Sequence, residues 1–320
     1  MDPRPSPFLS VVIPVFNEEE NIPALWERLH RVLEAHYPEP ERTWEVVFTD
    51  DGSRDKSLSM LIAISFEEPR VKVVEFNRNY GQHSAIFGGF AEARGQVIVT
   101  LDADLQNPPE EIPRLVEKVE EGYDVVGGWR QGRQNNDSFF RTMPSKIVNA
   151  ITRKTTGVKL HDYGCMLRAY SREVVQAMLL CKERSSFIPA LANSFAKRIT
   201  EVPVAHAERA AGTSKYGVWK LINLQFDLLT SFSLLPLQML SVFGVLTAGF
   251  GFTLFLGLVV YRFLHPEGTA QGVFTLFAIL FFFVGCQFIA FGLLGEYIGR
   301  IYQEVRDRPR YMIKRVHQAD

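Results

Sequence analysis

Val97-Ile98-Val99-Thr100-Leu101-Asp102-Ala103-Asp104 is the stretch whose reading decides the fold. Five residues of strand character run straight into two acids separated by one small residue. A continuous apolar run this short fits a strand covered on both faces, as in a parallel sheet. The two acids can be read in two ways. They can reach one hard divalent cation, which prefers oxygen ligands and completes its shell with phosphates. They can also belong to a turn that leads into a helix, since Pro108, Pro109 and Glu110 follow closely.

Working outward, the same pattern recurs on both sides. Strands are predicted at Leu9 to Pro14, Glu45 to Thr49, Val71 to Phe76 and Asp124 to Val126. Helices are predicted between them, at Ile22 to Ala35, Lys56 to Phe66, Gly81 to Ala93 and Glu110 to Glu121. Strands alternating with helices imply an α/β, Rossmann-like domain with a mainly parallel sheet. In such sheets ligands bind beyond the carboxyl ends of the strands. The polar residues there are Asn17 and Glu18 after the first strand, Asp50 and Asp51 after the second, and Asp102 and Asp104 after the fourth. Acids crowded on one edge need a cation or a hydrogen-bonding ligand to stay ionised. No glycine fingerprint follows the first strand, so hydride chemistry is a poor candidate, and no phosphate-loop motif ending in Gly-Lys-Ser/Thr occurs.

Other polar groups carry open alternatives. Asp50-Asp51-Gly52-Ser53 suits a ribose or base edge, or an ordinary turn. Arg130, Arg133 and Arg141, with Ser145 behind them, offer forked donors for phosphate, or form a solvated basic surface. The segment from Arg209 to Lys215 is a small-residue loop with cations at its ends, fit to close over a diphosphate or simply to link domains. Asp162 either orients an attacking group or caps a turn.

The chain has 320 residues and a formal net charge of -1, which gives no sign of nucleic-acid binding. The balance hides a split. Leu234 to Tyr261 and Gly272 to Gly295 carry no charge at all. Each exceeds the roughly 20 apolar residues that cross about 30 Å of hydrocarbon. Two buried helices of a soluble core are the competing reading, but glycines at 244, 249, 251 and 257 suit close membrane packing better. Arg300, Arg306, Arg308, Arg310, Lys314 and Arg315 follow the second stretch, while the intervening turn holds only Arg262 as a fixed cation. By the positive-inside rule both outer flanks are expected in the cytoplasm. No apolar leader precedes the first strand, so the N-terminal domain is expected there too. Residues 217–233 are apolar-rich and are expected to lie in the membrane interface or to pack on the soluble domain. Three scattered cysteines show no disulfide framework or zinc spacing. The expected organisation is a catalytic domain over 1–216, an interfacial helix over 217–233, a two-helix hairpin over 234–295 and a basic tail over 296–320.

Taken together, Val11-Val12-Ile13-Pro14 with Asn17-Glu18, Asp50 to Ser53, and Asp102-Ala103-Asp104 with Gln106 resemble glycosyltransferase family 2, of the GT-A fold. The Arg209-to-Lys215 segment and the paired apolar stretches resemble its polyprenyl-phosphate branch. Asn77 to Ile86, Leu101 to Leu115, Asp162 to Tyr170 and Gly292 to Tyr302 narrow the resemblance to the undecaprenyl-phosphate 4-deoxy-4-formamido-L-arabinose transferases of lipid A modification. Glucosyl or other hexosyl transfer to the same lipid is the alternative.

The resemblance implies roles. Pro14, Asn17, Glu18 and Asp51 would hold the uridine of a UDP-sugar, and Asp102 and Asp104 a Mg²⁺ or Mn²⁺ ion on its diphosphate. Gln106 would lie near the sugar, and Arg209 and Lys215 would close on the donor. Arg130, Arg141 and Ser145 would receive the phosphate of undecaprenyl phosphate. Asp162 is the residue to weigh as a base. The resemblance further implies inversion at the anomeric carbon, a tetramer, and a bacterial inner-membrane location. A processive synthase would need more spans than one hairpin, and a degenerate scaffold would lack Asp102 or Asp104.

Overall fold

The computed structural model describes residues 6–38, 43–130, 161–162, 164–181, 188–205, 235–264, 272–305 and 309–319. They fall into two compact units, one of residues 1–221 with 308–320 and the other of residues 222–307.

In the first unit, strands β1 (Leu9–Val15), β2 (Trp44–Asp50), β3 (Val71–Phe76) and β4 (Val97–Thr100) alternate with helices α1 (Ile22–His36), α2 (Ser57–Glu67) and α3 (Gln82–Glu92). These match the predicted strands and helices to within a residue or two. Next come α4 (Ile112–Glu120), β5 (Val125–Arg130), β6 (Arg168–Ser171), α5 (Arg172–Leu180), α6 (Ile188–Phe195), β7 (Ile199–Val204) and, near the C-terminus, β8 (Ile313–His317). The eight strands form one sheet in the order β7-β5-β6-β4-β1-β2-β3-β8. β1 pairs in parallel with β2 and β4, β2 with β3, and β5 with β7. β6 runs antiparallel between β4 and β5, and β8 antiparallel along β3. The sheet is therefore mixed, mostly parallel at its centre.

The period of two along each central strand divides the core into two layers. Val11, Ile13, Val46, Phe48 and Val73 pack on one face with Leu25 and Leu29 of α1, Leu61 of α2 and Leu115 of α4. Val12, Val47 and Val74 pack on the other with Ile86 and Phe90 of α3, Val175 of α5 and Leu191 of α6. Helix α1 shows the cause on its own sequence, burying Ile22, Leu25, Leu29, Val32 and Leu33 along one stripe.

Within the basic tail expected over 296–320, the structure places the end of one helix and a strand. Residues up to Val305 continue a helix, and Ile313–His317 add the eighth strand. Pairing with β3 covers a sheet edge, and Lys314 Nζ and His317 Nε2 reach the two oxygens of Glu75 at 2.6 and 3.0 Å.

The second unit holds helices α7 (Leu235–Leu264) and α8 (Gly272–Val305). At 1.5 Å per residue, α7 alone is about 45 Å long. Within α8, Phe282–Gly299 has a mean hydropathy of 1.5 and is long and apolar enough to cross a membrane. The apolar stretch of α7, Met239–Thr253, is shorter. Among the described residues one helix meets that test of length and hydropathy.

Candidate active site

The carboxyl ends of β3, β2, β1, β4, β6 and β5 follow one another across the sheet, or its amino end where β6 runs back. Strands lie about 4.8 Å apart, so groups at successive strand ends line up along one edge.

At the β1–β2 end the loops are tied by side chains. Asn17 has φ of +55°, which asparagine tolerates better than most residues. Its N–H donates to Ser53 Oγ at 3.0 Å, and its Oδ1 accepts from Arg54 N at 2.8 Å. Glu18 N donates to Ser57 Oγ at 2.8 Å, and Glu18 Oε2 accepts from Asn21 at 2.6 Å. Pro14 lies beyond Val12, the last β1 residue in register with β4, so its missing N–H falls where those two strands part. Asp51 is buried, and its two oxygens accept from Tyr80 N at 2.6 Å and Gly81 N at 2.8 Å. Burial pushes its carboxyl pKa up against those two bonds. Asp51 thus anchors the loop after β3 to the end of β2. Gly52 has φ of +71°, and a Cβ there would lie 2.6 Å from the backbone carbon of Arg78. Only glycine allows the two loops to touch.

Between these loops lies a cavity of about 430 Å³, lined by Phe16, Ser53, Arg54, Asn77, Arg78 and Lys314 among others. Asp50 also lines it. One oxygen of Asp50 accepts from Ser53 N at 3.2 Å, while the other is buried with no protein partner. Sequence reasoning missed Phe16, Arg54 and Arg78 as lining residues. Phe16 is 42 % exposed, a property the sequence does not show.

At the β4 end, Ala103 and Leu105 turn into the core while Asp102 and Asp104 stay half-buried. Leu105 has φ of +59°, a costly backbone for a leucine of the kind that collects at functional sites. Asp102 Oδ1 accepts from Gln82 Nε2 at 2.7 Å. Asp104 Oδ1 accepts from Gln106 N at 3.2 Å. Burial, and next the charge of Asp104, raise the Asp102 pKa to about 7, with Arg130 acting in the opposite sense. Gln82 was also missed, although it opens α3 beside Gly81.

At the β5–β6 end, Arg130 Nε and Nη2 grip Asp162 Oδ2 and Oδ1 at 2.6 and 2.9 Å, a fork-to-fork pair. Both side chains are nearly buried, 11 % and 13 % exposed. Burial works to lower the Arg130 pKa, and Asp162 outweighs it. Gly164 N adds a third bond to Asp162 Oδ1 at 2.9 Å. The structure thus brings together Arg130 and Asp162, which the sequence could only name separately. Arg133, Arg141, Ser145, Arg209, Lys215 and the expected interfacial helix at 217–233 lie outside the described residues.

An α/β sheet with a nucleoside-sized cavity, paired acids and a buried arginine along one edge is the frame of a nucleotide-sugar transferase. A family model described as glycosyl transferase family 2 matches residues 10–179. The chain belongs to that family and is a glycosyltransferase. It is 56% identical over 311 residues to an undecaprenyl-phosphate 4-deoxy-4-formamido-L-arabinose transferase from Enterobacter sp. (strain 638), covering 96% of this chain and 93% of the relative. The protein of the same name from Proteus mirabilis (strain HI4320) is 56% identical over 310 residues, with the same coverage. Among solved structures, mannosyl-3-phosphoglycerate synthase from Rubrobacter xylanophilus shares the fold with a TM-score of 0.51 at 12% identity, covering 70% of this chain and 72% of that one.

Proposed function

We propose that the chain transfers 4-deoxy-4-formamido-L-arabinose from a UDP donor to undecaprenyl phosphate at the cytoplasmic face of a bacterial inner membrane. Sugar and lipid are taken from the names of relatives that align with 96% of the chain. The observation that carries the chemistry is the row of groups along the sheet edge. The cavity at β1 to β3 would take the uridine, the acids at β4 the diphosphate, and Arg130 at β5 the acceptor phosphate. Asn17, Glu18 and Asp51 frame the cavity loops, and Gln106 follows the acids toward the sugar. Arg141, Ser145, Arg209 and Lys215 belong to the same reading on their resemblance alone, the first two toward acceptor and the last two toward donor.

Asp102 and Asp104 fit a divalent cation. Two hard oxygen donors one residue apart match what Mg²⁺ or Mn²⁺ takes from protein when phosphates supply the rest. Such an ion would neutralise charge on the departing diphosphate. The protein's own part is positioning. A phosphate monoester has a second pKa near 6, so the acceptor is already largely dianionic at cytoplasmic pH. It needs orientation in line with the anomeric carbon far more than it needs a base. Both oxygens of Asp162 accept from Arg130, which suits an orienting role rather than proton removal. Helices α7 and α8 would form the membrane hairpin that keeps the site beside the lipid headgroup, in an assembly of several copies.

The test is to incubate membranes carrying the protein with candidate UDP-sugars and undecaprenyl phosphate and weigh the lipid product. The expected product carries formamido-arabinose. Product formed only from UDP-glucose would overturn the sugar assignment.

A further inference from the structure

Glu201 lies on β7, the outermost strand on the acceptor side, in register with Gly127 of β5. Its side chain is 7 % exposed. Its carboxylate accepts from two successive backbone N–H groups, His161 at 2.7 Å and Asp162 at 3.1 Å, and meets His161 Nδ1 at 2.9 Å. Burying a carboxylate costs several kcal/mol unless its lone pairs are used. Here they are used to hold one short stretch of backbone. The opposite side of that stretch is held as well, because Arg168 Nη2 donates to Asp162 O at 2.9 Å. Gly127 leaves the room required, since a Cβ there would stand 3.3 Å from Arg168 Nη1 and 3.6 Å from Glu201 Cγ. The His161 ring stacks on Trp129, with centroids 4.4 Å apart, one residue before Arg130. Every polar atom of Asp162 is therefore fixed, its N–H by Glu201, its carbonyl by Arg168, and its carboxylate by Arg130 and Gly164.

We infer that Glu201 is a positioning residue for the transfer, setting the 161–162 backbone so that Asp162 aims Arg130 at the acceptor phosphate. The inference rests on the assignment of Arg130 to the acceptor. An edge strand needs no buried acid to be covered, and an apolar side chain would do that without the cost of desolvation. What a carboxylate adds is two acceptors in a fixed plane, matched to consecutive N–H groups. Tilting that backbone swings the Asp162 carboxylate, and with it the guanidinium.

The full-length protein with Glu201→Gln tests this. Glutamine keeps one acceptor and turns an NH₂ group against the other N–H. The kcat/KM for undecaprenyl phosphate is expected to fall about tenfold, with the KM for UDP-sugar held within about twofold. Glu201→Asp, which keeps both acceptors on a shorter stem, is expected to show the same split with a smaller loss, and it decides the matter alone if the glutamine variant does not accumulate. In a background of Arg130→Ala, either Glu201 change is expected to add nothing further. Equal losses toward donor and acceptor, or losses that add in the double variant, would overturn the role of Glu201. If Arg130→Ala by itself spares acceptor kinetics, the acceptor assignment falls instead, and the double variant still reads whether Glu201 acts through Arg130.

Discussion

Replacing Asp162 with asparagine separates an orienting acid from a base. The native carboxylate receives two guanidinium hydrogen bonds from Arg130 and one from Gly164 N. Asparagine can keep the Gly164 bond and one guanidinium bond, but its NH₂ group then faces a second arginine donor. One charge-assisted bond is lost, worth about 1.5–3 kcal/mol, and Arg130 is left nearly buried without its counter-charge. If all of about 2 kcal/mol were expressed in the transition state, turnover would fall roughly thirtyfold. The thermal midpoint should fall too, because the same bond holds the β5 end to the 161–162 stretch. The assay is initial-rate transfer to undecaprenyl phosphate in detergent, alongside a thermal melt of the same preparation. A loss of about a thousandfold with the melt unchanged would refute the reasoning and give Asp162 a proton-transfer role.

Changing Asp104 to alanine is expected to abolish transfer, by more than about a hundredfold, in a protein that still folds into membranes; near-normal turnover, or turnover insensitive to removal of divalent cations in the native protein, would sink the metal assignment. Gly52→Ala forces a Cβ to within 2.6 Å of the Arg78 backbone at φ of +71°. It is expected to cost about 1–3 kcal/mol of stability and to raise the KM for UDP-sugar while sparing the acceptor, and a melt and a donor titration check both.

The edge of the sheet that carries the candidate site was legible wherever a single strand announced itself. Val97 to Leu101 before Asp102 and Asp104, Leu9 to Pro14 before Asn17 and Glu18, and Glu45 to Thr49 before Asp50 and Asp51 stand out because each short strand-like run ends at polar residues, which a mainly parallel sheet gathers on one edge. That reasoning is local, needing only residues within a few positions of one another. It failed where a contact joins distant parts of the chain. Ile313–His317 mixes apolar and basic residues without a strand's alternation and reads as part of a basic tail until β3 presents Glu75 to Lys314 and His317. Arg130 and Asp162 are 32 residues apart, and Glu201 a further 39, so only the placement of β7 beside β5 shows that the three are joined by hydrogen bonds. Sequence by itself determined the layers, the sheet edge and the family. The tertiary structure alone decided which charges meet, because desolvation makes a buried charge depend on its partner, and partners across a sheet are chosen by strand order rather than by spacing along the chain.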